Sequence, residues 1–471
     1  MTTTDTIDRR PFPGAVVLAP VVAVERRLAA RTFVVLCLLH VVLAFLFQRI
    51  PLLATLHGLA TFLVGTWLVL EDNRPERAIY CCAYIVGSEL LWRVAGASLF
   101  WEVGKYQVIL FATLLSLRYK LFPRFRPSFL LYPLLLMPSI LALPEFDRRE
   151  IAFNLSGPVS LAVCVLLFST IRLEREQLIR TFAACIFPIV GLTALTIDST
   201  LRADPARLMP HGSLTTAGFG PNQVSSVLGL GMTLAFLMGF VVPRSESNLR
   251  RLAFLVAIVT GIQALLSFSR GGLWTALGAI GVASWYLLRN PRLRRVFLGS
   301  AIVILPILLW VVIPTVDSYT RGLAVRRFRS TDLTGRGELM LADLLAFSEH
   351  PLIGVGPGQS ATYHERFFRR VGSHTEYTRL LAEHGLFGVI ALLILFATVL
   401  KRVRLRGPPL NAALVMAMTA WTLLNMAHSS MRISAPGFLF GLAAATFVLS
   451  GRESEDDETW DEDDGSGALE D

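Results

Sequence analysis

The segment from about residue 316 to 379 holds the side chains best suited to binding a negatively charged group. It contains nine arginines and no lysine. Arginine contacts phosphate and carboxylate through two parallel hydrogen bonds, whereas lysine serves equally well for diffuse attraction to lipid. This composition predicts a diphosphate-bearing ligand, with a basic face against lipid headgroups as the alternative. The arginines are Arg321, Arg326, Arg327, Arg329, Arg336, Arg366, Arg369, Arg370 and Arg379.

Two of these arginine positions can be interpreted further. Apolar residues recur at helical spacing from Leu339 to Phe347, which puts Arg336 in the first turn of a helix, where its guanidinium could meet an anion. Arg366, Arg369 and Arg370 flank Phe367 and Phe368 and fit a short amphipathic helix on the membrane surface instead.

The sequence Ser373-His374-Thr375-Glu376 has the form of a capping box and predicts that His374 is the first residue of a long helix. The positive end of the helix dipole disfavours an imidazolium, so His374 could act as a neutral proton acceptor, while free amides nearby would favour an anion. The alternative is a histidine that merely hydrogen-bonds backbone at the helix start. His211, His350, His364 and His384 are expected to be structural or exposed.

Two glycine-containing sequences interrupt apolar runs upstream. Ser269-Arg270-Gly271-Gly272 places a fixed charge where backbone can approach a ligand closely, although an arginine at a helix end can simply extend to the membrane surface. Gly220-Pro221-Asn222-Gln223 opens a helix and could present amides and the Asn222 side chain to a phosphate or sugar, or only cap that helix.

Charges near the third apolar run are harder to assign. Glu89 and Arg93 lie four residues apart, close enough to neutralise each other as a structural brace. Glu102 and Lys105 lie between aromatic residues in the next turn. Together with Arg379, they are weaker candidates for substrate binding.

The elements that position these residues must lie in a membrane. The 471 residues are 54% hydrophobic and 17% charged, and the mean hydropathy is +0.57. The five cysteines lack the spacing of zinc ligands, so neither a metal site nor a disulfide is predicted, and no cofactor is expected.

We predict an all-α polytopic protein with about fourteen spans, since lipid leaves no partner for open strand edges. These spans cover approximately 32–48, 50–70, 78–99, 107–122, 128–143, 155–172, 178–198, 220–242, 251–268, 271–289, 296–315, 380–400, 408–426 and 433–450.

The distribution of Lys and Arg sets the orientation. Cytoplasmic termini satisfy the positive-inside rule at nearly every turn, and the long arginine-rich loop can lie outside because long loops translocate despite their charge. The predicted organisation is a cytoplasmic tail (1–31), helices 1–11 (32–315), an exoplasmic catalytic loop (316–379), helices 12–14 (380–450) and an acidic, disordered cytoplasmic tail (451–471).

Taken in order, these motifs resemble the O-antigen ligase and O-antigen polymerase superfamily, specifically over about 215–400. The resemblance rests on Gly220 to Asn222, Ser269 to Gly271, Arg336, the run His350-Pro351-Leu352-Ile353-Gly354-Val355-Gly356-Pro357-Gly358, and His374-Thr375-Glu376-Tyr377 leading into Glu383-His384-Gly385-Leu386-Phe387-Gly388.

The resemblance implies a metal-independent, inverting glycosyltransferase of the bacterial inner membrane. Such enzymes move a glycan from an undecaprenyl-diphosphate carrier, on the periplasmic face, to another carrier-linked glycan (polymerase) or to lipid A core (ligase). By motif, His374 would be the general base, and Arg270 and Arg336 would hold the diphosphate. Lipid is an expected partner and nucleic acid is not. Polymerase is favoured slightly, and a transporter for polyprenyl-linked glycans is the alternative of a different class.

Overall fold

A computed structural model describes residues 27–121, 129–209, 212–329, 335–366, 371–404 and 407–449. Several of the predictions fall on other residues, among them the one for His211. The acidic tail 451–471 and most of the amino-terminal tail lie outside the described residues, as do Phe367, Phe368, Arg369 and Arg370 of the proposed surface helix.

Within these ranges the protein is helical, as predicted. Proline begins several helices, including Pro51, Pro75, Pro221 and Pro409, because its fixed φ suits the first helical position, where an amide hydrogen would have no partner. The helices are α1 (Ala30–Arg49), α2 (Pro51–Leu70), α3 (Pro75–Val94), α4 (Val103–Arg118), α5 (Leu131–Leu134), α6 (Arg148–Phe168), α7 (Arg175–Arg202), α8 (Pro221–Val241), α9 (Ser247–Leu266), α10 (Arg270–Leu287), α11 (Pro291–Ile307), α12 (Ile313–Tyr319), α13 (Leu323–Arg329), α14 (Arg336–Glu349), α15 (Ser360–His364), α16 (Glu376–Val403), α17 (Pro409–Met426) and α18 (Ala435–Leu442).

Seven helical segments of the described chain are long and apolar enough to cross a membrane. Exposed leucines on the outer helices, such as Leu38 of α1 and Leu63 of α2, suit a surface that faces lipid. The predicted count of fourteen spans is not confirmed. The seven segments are Ala30–Arg49, Pro51–Leu70, Arg148–Phe168, Arg175–Arg202, Pro221–Val241, Arg244–Leu266 and Glu376–Val403.

Two predicted spans do not form single long helices. The region 128–143 contains the short helix α5 and a 3-10 turn at Pro138–Ala142, because prolines interrupt the helical hydrogen bonds. The region 433–450 contains the eight-residue α18 and then strand β2 (Thr446–Val448), which pairs in parallel with β1 (Arg172–Glu174). A helix of eight residues rises about 12 Å, too little to cross a hydrocarbon core of about 30 Å.

Glycines bring α8 and α10 into direct backbone contact. A Cβ atom at Gly272 would lie 2.0 Å from the carbonyl oxygen of Ser225, and one at Gly229 would lie 2.4 Å from that of Gly272. Such small residues allow helix backbones to approach closely. The Ser225 hydroxyl also donates a hydrogen bond of 2.7 Å to the Ser269 carbonyl. The amino-terminal ends of both helices, which carry Asn222 and Arg270, are therefore held side by side.

Helix α16 is broken at Gly385, whose φ of 57° and ψ of −135° lie outside the helical region. The glycine-containing run 350–358 packs against this kink, and a Cβ atom at Gly385 would lie 2.7 Å from the Leu352 backbone. The run supplies hydrogen bonds that the broken helix lacks, so the two motifs form one structural unit. The bonds are Val355 N to Ala382 O (2.9 Å), Gly356 N to Glu383 O (3.1 Å) and Leu386 N to Pro351 O (2.8 Å).

Candidate active site

The starts of α8, α10 and α14 bring together the three residues that were predicted to bind the diphosphate or the sugar. These residues are Asn222, Arg270 and Arg336. Arg336 Nη2 donates a hydrogen bond of 3.2 Å to Asn222 Oδ1, and the Ser269 hydroxyl donates to the same oxygen at 2.8 Å. Ser269 is the N-cap residue of α10, so Arg270 follows it directly as the first helical residue. Arg336 begins α14, as its sequence context predicted.

Positive charge is concentrated around Arg336. Burial lowers the pKa of its guanidinium, and the neighbouring charges of Arg270 and Arg327 lower that pKa further. Arg327, on α13, was one arginine among nine in the sequence and had no assigned role. Its Nε lies 3.5 Å from the Phe268 carbonyl, which places it beside the start of α10. Arg270 and Arg336 lie at helix starts, whose free amides also favour an anion, and Arg327 adds a third positive charge from the last turn of α13.

His374 lies in a bend just before α16 and is half-buried. The predicted capping box is wrong, since Thr375 is the N-cap residue and its hydroxyl accepts a hydrogen bond from the Tyr377 amide (3.2 Å). Tertiary contacts explain the difference. The Ser373 hydroxyl donates to Asp343, and the Glu376 carboxylate pairs with an arginine of its own helix instead of reaching back. His374 nevertheless remains next to the amino-terminal end of α16.

The segment 427–434, between α17 and α18, holds the backbone around His374. The Ser430 amide donates to the His374 carbonyl (3.2 Å), and the Ser430 hydroxyl donates to the Ser373 carbonyl (3.0 Å). Arg432 Nη2 donates to that same Ser373 carbonyl (3.3 Å). Nothing in the order of these residues indicates that they meet His374, which lies more than fifty positions earlier in the chain, so sequence reasoning missed them.

His428 is a second histidine at this site and was also missed. Its ring is buried, and Nε2 lies 3.0 Å from the Thr275 hydroxyl of α10. A Cβ atom at Gly271 would lie 2.3 Å from Nδ1, so the ring packs directly on the first turn of α10. Burial, followed by the charge of Arg336, lowers the pKa of His428 to about 3, and His374 adds to this effect. The neutral His428 ring therefore lies within electrostatic range of both Arg336 and His374.

A cavity of about 950 Å³ opens next to the His374 bend, with Gly372 and Ser373 in its wall. Aromatic rings can cover the apolar faces of a sugar, while carboxylates and amides bind its hydroxyls. The lining contains both kinds of group, which makes the cavity suited to a carbohydrate. Aromatic lining residues are Phe100, Trp101 and Phe153, and polar ones include Glu102, Asp147, Glu150, Asn154, Arg379 and Arg432.

The weaker candidates Glu102, Lys105 and Arg379 line this cavity or lie near a residue that lines it. Glu102 lines it. Arg379 also lines it, but its guanidinium is bound to the carboxylates of Glu376 and Glu383, so it acts as a structural cation. Lys105 is fully buried with Nζ 5.6 Å from the Phe153 ring, and Nζ has no hydrogen-bond partner among the described residues.

Glu89 and Arg93 form the predicted ion pair, which is buried. Arg93 also donates to Gln223 Oε1 (3.1 Å) at the start of α8 and to the Trp101 carbonyl (2.6 Å). Glu89 Oε2 accepts from the amide and the hydroxyl of Ser434, each at 2.7 Å. The pair thus ties α3 to α8 and to the segment 427–434, beyond the local brace that the sequence predicted.

One protein-family model matches the part of the chain that contains several of these motifs. The family model described as O-Antigen ligase matches residues 252–393, which include Arg270, Arg336 and His374. The predicted resemblance to the O-antigen ligase and polymerase superfamily is thereby confirmed, and with its apolar helices the chain is a multi-pass membrane protein. The match does not extend to Asn222 or to the segment 427–434. No curated protein is significantly similar to the chain.

Proposed function

We propose that this protein, which resembles the O-antigen ligase and polymerase superfamily, transfers a glycan from an undecaprenyl-diphosphate carrier to an acceptor glycan. The reaction takes place on the periplasmic side of the bacterial inner membrane, in a protein with both termini in the cytoplasm. The observation that carries the proposal is the convergence of Arg270, Arg336 and Asn222 at three helix starts. His428 packs on the start of α10 and lies within electrostatic range of both Arg336 and His374, which connects this cluster to the histidine. A diphosphate is the kind of leaving group that such a cationic cluster stabilises.

The proposed step uses these residues as follows. An acceptor hydroxyl loses its proton to His374 as its oxygen bonds to the anomeric carbon of the donor sugar. The bond between that carbon and the diphosphate oxygen breaks, and the carrier diphosphate leaves with the electron pair. Attack from the face opposite the leaving group inverts the anomeric centre. Arg270 and Arg336 neutralise the charge that develops on the diphosphate, so its departure needs no proton.

The cavity supports a place for the acceptor. Its wall includes Gly372 and Ser373, immediately before His374, so a sugar bound there would present a hydroxyl to the imidazole. We propose that Trp101 and Phe153 cover a face of the acceptor sugar and that Glu102 and Asn154 bind its hydroxyls. The acceptor is a second carrier-linked glycan in this proposal, which makes the enzyme a polymerase.

The position of the charges favours a transferase over a transporter. A transporter for polyprenyl-linked glycans needs polar groups along a path through the membrane and is commonly built from internal repeats. The arginines, His374 and the aromatic cavity instead belong to helix starts and to the segments that join them.

Purified protein in lipid nanodiscs, mixed with a carrier-linked oligosaccharide, tests this proposal. We expect lengthened carrier-linked glycan when a second carrier-linked glycan is supplied, with equal rates in the presence of a chelator. Products linked only to added lipid A core would make the enzyme a ligase. Translocation of intact carrier-linked glycan without a new glycosidic bond would overturn the transferase proposal.

A further inference from the structure

Asp343 is buried in α14 and is not explained by the proposed chemistry. Its side chain is 1% exposed and has no arginine or lysine partner among the described residues. Three donors surround it instead: His364 Nε2 and the Ser373 hydroxyl each lie 2.8 Å from Oδ1, and the Thr378 hydroxyl lies 2.6 Å from Oδ2. A buried carboxylate with three hydrogen-bond donors holds the segments that carry those donors in place, because removing any of its bonds leaves a polar group unpaired.

The donors of these three bonds lie before and after His374 in the sequence. Ser373 precedes it directly, and Thr378 lies in the first turn of α16, four residues beyond it. His364 extends the support further upstream, since its Nδ1 lies 2.5 Å from the Val371 carbonyl. Both ring nitrogens of His364 face acceptor oxygens, an arrangement that favours the imidazolium, which donates on both sides. Asp343 is thus linked, directly or through His364, to three positions in the eight residues 371–378.

Helix α14 connects this support to the diphosphate cluster. Arg336 and Asp343 lie seven residues apart, which is nearly two helical turns, so they share a face with a rise of about 10 Å between them. One rigid helix therefore places the cation that binds the donor at its start and the carboxylate that holds the His374 bend two turns later.

We propose that Asp343 is a positioning residue that sets the His374 imidazole against the acceptor hydroxyl. This inference rests on the proposed function of His374 as the general base. Asp343 does not touch substrate. It acts by fixing the bend from Val371 to Thr378, together with the segment 427–434 on the other side. A base displaced by about 1 Å loses on the order of 10²-fold in rate, so the effect appears in turnover and not in donor capture.

The experiment compares Asp343→Asn, His374→Ala and the double variant in the purified transfer assay. An asparagine presents one oxygen and an NH₂ group, which cannot accept from all three donors. We expect Asp343→Asn to lower kcat about 10²-fold with the KM for carrier-linked donor unchanged. In the double variant we expect the same residual rate as in His374→Ala, because Asp343 acts only through His374 and its replacement has no further effect once the imidazole is removed. Glu349→Gln, which removes an exposed carboxylate from the same helix, is the matched control and should keep the wild-type rate.

Thr378→Val provides a variant of nearly the same shape that keeps Asp343 and His364 paired. It should lower kcat about tenfold even where Asp343→Asn fails to reach the membrane. Wild-type kcat in Thr378→Val, or a double variant much slower than His374→Ala alone, would overturn the positioning role. Wild-type activity in His374→Ala would instead overturn the proposed base. The failure of the inference and the failure of the proposed function are therefore distinguishable.

Discussion

The contact between α8 and α10 can be tested by adding one methyl group at Gly272. The new Cβ would lie 2.0 Å from the Ser225 carbonyl oxygen and 2.1 Å from its carbon, where an ordinary contact is 3.4 to 4 Å. Both atoms belong to backbone, so no side chain can move aside. The helix starts must separate by more than about 1 Å, and overpacking of this kind costs about 1–3 kcal/mol.

The separation acts directly on the anion cluster. It stretches the bond from Ser225 to the Ser269 carbonyl, and the bond from the Ser269 hydroxyl to Asn222. Asn222 in turn accepts from Arg336. We expect Gly272→Ala to weaken capture of the carrier-linked donor about tenfold to 100-fold, equivalent to the loss of one charge-assisted contact of about 1.5–3 kcal/mol. Donor binding is measured by titrating undecaprenyl-diphosphate-linked glycan into the purified protein in nanodiscs.

Gly281→Ala is the matched control on the same helix. A Cβ there has nothing within 4 Å, so the substitution should only add helix propensity, worth up to about 1 kcal/mol. Gly281→Ala should bind donor normally and unfold at the same or a higher temperature. Donor affinity in Gly272→Ala equal to that in Gly281→Ala would refute the view that backbone contact between α8 and α10 aligns the cluster.

Further predictions address the His374 base, the bidentate contact of Arg336, the stability that His364 contributes and the orientation of the protein in the membrane. His374→Ala should lower turnover about 10²–10⁴-fold while donor binding persists, and unchanged transfer would remove the base assignment. Arg336→Ala should weaken donor capture about tenfold to 100-fold, with Arg336→Lys little better, and full rescue by lysine would exclude a bidentate contact. Burial would lower the pKa of His364, but its bonds to Asp343 and to the Val371 carbonyl raise it overall. Because this folded pKa is raised, its stabilisation is complete below the unfolded value of about 6.5 and is lost as pH rises through the folded pKa. The melting temperature should therefore fall with rising pH above about 6.5, by less in His364→Asn, and an equal slope in both proteins would contradict this. Finally, a cysteine introduced at Ser330 should be labelled in intact cells, and labelling only after permeabilisation would reverse the orientation.

Much of the anion cluster was predictable because Asn222, Arg270 and Arg336 lie at helix starts, each with a local signal. Asn222 follows a proline, which favours the first position of a helix, Arg270 precedes two glycines, and Arg336 precedes a run with helical periodicity. Helix starts are set by nearby residues, and their amides favour anions whatever the tertiary structure. Arg327 had no such signal among the other arginines, and only packing beside Phe268 assigns it to the cluster.

Predictions that depended on tertiary partners were less successful. Ser373 and Glu376 have the spacing of a capping box, but a buried carboxylate captures the first and Arg379 the second. Their bonds in the folded protein are stronger than a neutral capping bond because each includes a charged group. The predicted spans at 128–143 and 433–450 differ from the structure for the same reason. Hydropathy alone does not show that prolines divide the first region, or that Thr446–Val448 would find a strand partner at 172–174.

The helical pattern of α14 shows why Asp343 could not be found from sequence. Its apolar residues recur at helical spacing, yet Met340, Leu344 and Leu345 are exposed, while Leu339, Ala342, Asp343 and Ala346 are buried. The helix is turned so that Ala342, Asp343 and Ala346 pack inward together with Leu339, while most of its large apolar side chains face outward. This orientation reverses the usual arrangement in water and is reasonable where the outer surroundings are lipid or interfacial. In a membrane protein, an acidic residue on the weakly apolar face of a helix can therefore be the buried one, and its donors must be sought from distant segments.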